Sequence, residues 1–136
     1  MKNLLLVACL LVAACSGSTA DVDYVEPDSY HFTVTYTAFS PSNGTWIVFV
    51  RDGEVTDVLA TSPEQQWDID NGWVTPESMW TLAEIVERYE EASSLSRATA
   101  SITYADGHPH EVRIDWSDAY DDEDSWLITD VVVTTD

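Results

Sequence analysis

The chain has 136 residues, 25 of them acidic against five Lys and Arg, and a formal net charge of −20 at pH 7. That balance excludes nucleic acid as a partner, because binding phosphates requires Lys and Arg to neutralise them. It also sets the chain against anionic head groups unless divalent cations intervene. Apolar residues make up 45%, including six Trp, six Tyr and three Phe, which excludes disorder and predicts one packed domain.

Lys2 and Asn3 precede an apolar run, Leu4 to Ala14, that ends in Val12-Ala13-Ala14-Cys15. A basic start, a short apolar stretch and small residues before a break describe a secretory signal. The run falls well short of the roughly 20 residues a membrane-spanning helix needs. Val-Ala-Ala-Cys resembles the lipobox of bacterial lipoproteins, in which the cysteine is lipidated and the chain is cut before it. Residues 1–14 are therefore expected to leave as a signal peptide, and Cys15 to carry the acyl chains, a palmitate-type modification. Cys9, after Leu6-Val7-Ala8, also fits the pattern but leaves a shorter apolar core, and a plain signal with a chance cysteine is the remaining reading. Several acyl chains hold a membrane firmly where one does so marginally. Ser16 after the cysteine resembles the sorting pattern of outer-membrane lipoproteins facing the periplasm. Cys9 and Cys15 are the only cysteines, so the domain is expected to stand without a disulfide.

Residues 15–28 read as the lipidated cysteine and an acidic flexible tether, with ends about 20 Å apart as a coil. The domain is expected over residues 29–136. Tyr30, Phe32, Val34, Tyr36 and Ala38 alternate with polar residues, the pattern of a half-buried strand. Ser40 to Gly44 breaks it. Trp46 to Val50 is apolar on both parities, Asp52-Gly53 predicts a tight hairpin, and Val55 to Leu59 returns. Residues 61–75 are expected to be a long loop holding Trp67, Asp68, Asp70, Asn71, Gly72 and Trp73. A helix is expected from Pro76, capped by Thr75. Its stripe is Met79, Leu82, Ala83, Val86 and Tyr89, and Glu84 and Arg88 are spaced for an ion pair. Ala98 to Tyr104, Val112 to Trp116 and Trp126 to Val133 read as three more strands, with a turn at 105–109 and an acidic loop at 117–124. The expectation is α+β: an antiparallel sheet of about six strands in the order βββ-α-βββ, with one helix across a face.

Tyr104-Ala105-Asp106-Gly107-His108-Pro109, then Ile114-Asp115, then Ala119-Tyr120-Asp121-Asp122-Glu123 resembles the C-terminal signature of a family of small secreted bacterial proteins and lipoproteins. That family is catalogued as a domain of unknown function, number 6174. Val50-Arg51-Asp52-Gly53-Glu54-Val55 is similar to its central hairpin, and the likeness runs over roughly residues 24–133. The resemblance implies fold and location rather than chemistry. The chain departs from the pattern in three places. Ala38-Phe39-Ser40-Pro41 stands where many members have Cys-Phe-Cys-Pro, His108 stands where an aromatic is usual, and the acid of the turn is shifted to Asp106.

Three clusters are candidate sites. Asp115, Asp118, Asp121, Asp122, Glu123 and Asp124 could chelate calcium, which takes six to eight oxygens, but they lack EF-hand spacing and read equally as a solvated loop. His108 and His110, with His31 the only other histidine, offer fewer ligands than zinc wants. Trp67, Trp73 and Trp80 could stack on a glycan or an envelope protein, or could cover the sheet beside Met79. No Gly-x-Ser-x-Gly setting or nucleophile–base set stands out. The expectation is a non-catalytic binding or accessory module without a cofactor, tethered in the bacterial envelope. A calcium-responsive domain and a hydrolase with an unrecognised carboxylate pair are the alternatives. The acidity itself fits a cationic partner, calcium, or a saline habitat.

Overall fold

The computed structural model describes residues 23–135; the signal, Cys15 and most of the tether lie outside them. Six strands form one antiparallel sheet: β1 (Ser29–Thr37), β2 (Gly44–Arg51), β3 (Glu54–Ala60), β4 (Thr99–Ala105), β5 (His108–Asp115) and β6 (Glu123–Val133). Their order across the sheet is β3-β2-β1-β6-β5-β4. Two three-stranded meanders thus meet along a central seam where β1 pairs with β6. Asp52-Gly53 and Asp106-Gly107 close the β2–β3 and β4–β5 hairpins as two-residue turns. All four residues have positive φ, from 52° to 81°, the conformation that matches strand twist in such turns.

The alternation in β1 has the expected consequence. Tyr30, Phe32, Val34 and Tyr36 are buried on one face, joined there by Trp46, Val48, Val50, Val58, Val112, Ile114, Trp126 and Ile128. Helix α2 (Leu82–Ser94) covers this face and buries Leu82, Ile85, Val86 and Ala92. The α+β class and the strand sequence expected from periodicity are those observed.

The segment between β3 and α2 differs from expectation. It is not a long loop: Pro63–Asp70 forms helix α1. A single 3-10 turn, Pro76–Ser78, comes next, so Thr75-Pro76 opens that turn and not the main helix. The main helix begins at Leu82. Thr81 caps it, its hydroxyl accepting the Glu84 N–H at 3.2 Å while the Glu84 carboxylate accepts the Thr81 N–H at 2.8 Å. This capping box occupies Glu84, so the expected Glu84–Arg88 pair does not form. Arg88 reaches across to Asp124 at 3.3 Å instead.

The domain also starts earlier than Ser29. Tyr24 packs against the core. The Glu26 carboxylate accepts both the Tyr30 hydroxyl and, at 3.0 Å, the Ala83 N–H in the first turn of α2. A carboxylate there satisfies a free helix donor and complements the helix dipole. Among the described residues no helix is long and apolar enough to cross a membrane.

Candidate functional site

The acidic segment separates into two parts. Asp124 is not a loop residue; it lies near the start of β6 and turns toward the covered face. It accepts the Tyr36 hydroxyl and the Trp116 indole N–H at 2.7 Å, and it pairs with Arg88 at 3.3 Å. The Arg88 guanidinium lies 5.5 Å from the Trp116 ring centre and 5.8 Å from that of Trp126, a cation–π arrangement. Burial and the Asp124 carboxylate push the Tyr36 phenol above its ordinary range. Burial and Glu26 do the same to Tyr30. These groups are in structural use, holding β1, β6 and α2 together.

The other acids do not converge. Asp122 accepts the Ser117 hydroxyl and closes the loop. Asp121 takes a left-handed turn conformation at φ 67°. Asp115, Asp118 and Glu123 are exposed. The histidines are separated as well. His108 begins β5 with its Nδ1 3.3 Å from the Tyr24 hydroxyl. His110 Nδ1–H donates to the Ile128 carbonyl at 2.9 Å, and His31 stacks on Phe49. Among the described residues, no three His, Cys, Asp or Glu side chains stand together where they could hold a metal ion.

The tryptophans divide differently. Trp80 packs on Tyr36 and Trp126, with ring centres 4.6 and 5.7 Å away, and behaves as core. Trp67 and Trp73 do not cover the sheet: they are 54% and 57% exposed. Their rings touch, centres 5.6 Å apart and planes at 62°.

Local sequence builds this pair. Ser62 caps α1 by accepting the Gln65 N–H, and Pro63 occupies the first turn. At the other end Gly72, at φ 70°, takes the left-handed position after Asn71. The Gly72 N–H donates to the Ile69 carbonyl at 2.9 Å and the Trp73 N–H to the Asp68 carbonyl at 2.9 Å. This is a Schellman motif, which brings the residue after the glycine onto the last turns of the helix. Here the two residues so joined are Trp73 and Trp67. Val74, next in the chain, is buried in the core and anchors the arrangement.

Any two apolar side chains could close such a cap. Two large rings, each more than half in water, do more: they offer a rigid aromatic surface of the kind that anchors interfaces. Glu64 and Asp68, one helical turn apart, share a shallow depression with Pro63 and Trp67. Sequence reasoning missed these two acids as neighbours of the ring. The signal was present in Ser62-Pro63 and Asn71-Gly72, which bracket a helix and set Glu64, Trp67 and Asp68 on one side of it.

No match was found among curated proteins or among solved structures. The sequence model described as "Family of unknown function (DUF6174)" matches residues 19–133, in agreement with the Tyr104–Pro109 and Ile114–Glu123 signatures, and the chain belongs to that family.

Proposed function

We propose that the chain is an accessory module of the bacterial cell envelope. It is held by lipid on Cys15 at the outer membrane, facing the periplasm, and engages its partner through Trp67 and Trp73 without catalysis. The observation that carries the binding role is the paired exposure of those rings on a fixed helix cap. A preformed aromatic surface loses little side-chain entropy on binding. The tether reading is supported by the Lys2–Cys15 sequence alone. The non-catalytic part is supported by the structural employment of Glu26, Asp122 and Asp124, each of which accepts a side-chain hydroxyl.

The test is made in bacterial cells with the full chain. A palmitate label and membrane retention are expected, and both are lost on Cys15→Ser. A photoreactive aromatic residue in place of Trp73 is expected to give a discrete cross-linked product, absent when the same residue replaces exposed Thr103. Equal labelling from both positions, or none from either, would remove the binding assignment.

A further inference from the structure

We propose that the Trp67–Trp73 surface is built for a cationic partner, an arginine- or lysine-bearing segment of another protein. The inference rests on the binding role proposed above and specifies its chemistry.

Ring orientation comes first. At 62° the two indoles meet edge to face, so the pair forms a corner and not a flat platform. A sugar ring stacks best on a broad planar face. A corner of two electron-rich faces instead suits a compact cation, which is drawn to the ring quadrupole.

Charge comes second. Helix α1 carries Glu64, Asp68 and Asp70 and no basic residue. The ion pairs among the described residues are Arg88–Asp124 and Arg113–Glu111, so Glu64 and Asp68 beside Trp67 have no cationic partner there.

Third, the chain's net charge of −20 attracts a multivalent basic segment at long range, while the rings supply the short-range contact. Arginine fits both demands, since a guanidinium can stack on indole and bond a carboxylate at once.

The experiment uses the processed chain, extracted in detergent, and follows the indole N–H signals of Trp67 and Trp73 during titration. The probes are a short arginine-bearing peptide, the same peptide with neutral citrulline, phosphocholine, and a neutral oligosaccharide. The arginine peptide is expected to shift both signals and the citrulline peptide to leave them unmoved. Trp67→Leu keeps an apolar contact for the helix cap but removes the π-face. It is expected to weaken binding about fivefold or more with the melting temperature held. Glu64→Gln/Asp68→Asn is expected to weaken it similarly, and Asp115→Asn/Asp118→Asn to leave it unchanged.

Equal binding of the citrulline peptide, or tighter binding of phosphocholine or the oligosaccharide, would overturn the cation assignment. So would equal loss from the two acidic double variants, which would mark diffuse attraction. If position 73 still cross-links in cells, only the cation assignment falls; if it does not, the binding role falls with it.

Discussion

Helices α1 and α2 lie close in sequence and are made by opposite means. Helix α2 buries Leu82, Ile85, Val86 and Ala92, so its stability comes from tertiary packing. Helix α1 buries no residue. It exists because Ser62 and Pro63 start it, Gly72 ends it, and Val74 pins the chain just beyond it to the core. A helix held mainly by its caps can keep much of a large side chain in water, and Trp67 uses that freedom.

The contrast can be broken most severely at α2. Leu82→Ala or Ile85→Ala should cost about 2–5 kcal/mol in urea unfolding, as buried aliphatic truncations do. No single side-chain truncation in α1 should approach that, and a comparable loss there would mean α1 is part of the core.

Next in size is the tie between α2 and β6. Asp124→Ala would leave the Tyr36 hydroxyl, the Trp116 indole and Arg88 without their shared acceptor. About 2 kcal/mol or more is expected, because buried donors lose their partners. Denaturation of the double variant with Tyr36→Phe should show the two losses to be less than additive.

The same covered face fixes the alkaline limit. Tyr24, Tyr30 and Tyr36 all have phenols raised above the ordinary 10.0, chiefly by burial. The folded state therefore keeps protons that the unfolded chain releases. Stability is intact below about pH 10 and falls as pH rises beyond it. Melting curves across that range should steepen their decline above pH 10, and Tyr30→Phe should flatten the slope.

The smallest effects belong to α1. Gly72→Ala should cost about 1 kcal/mol, since alanine resists the left-handed conformation that closes the helix. Hydrogen exchange should show the opening confined to α1 and the Trp73 amide, with the sheet unchanged.

Legibility divides along the same physical line. Strand β1 is plain in the sequence because its alternation is enforced by a buried face, and Asp52-Gly53 is plain because few dipeptides accept two positive φ angles. Helix α1 is not plain, because periodicity reports burial and α1 has no fully buried residue, with Ile69 only partly packed on the core. Its caps are written in Ser62-Pro63 and Asn71-Gly72, but among so many polar residues they also spell a loop. For Arg88, spacing along a helix offers Glu84, whereas the partner it takes, Asp124, is brought close only by the β1–β6 seam. The exposure of Trp67 and Trp73 is hidden for a simpler reason: residue type favours burial for tryptophan, and only the helix cap turns these two outward.

The seam between β1 and β6 has a consequence in time. β1 is the first strand to emerge from synthesis, and one of its two edges has no neighbour until β6, the last, arrives. The longest loop in the fold must therefore close before the sheet is complete, a costly step in chain entropy that slows folding. A chain that cannot finish its sheet early stays open through most of its synthesis, and its central seam closes only once β6 has been made.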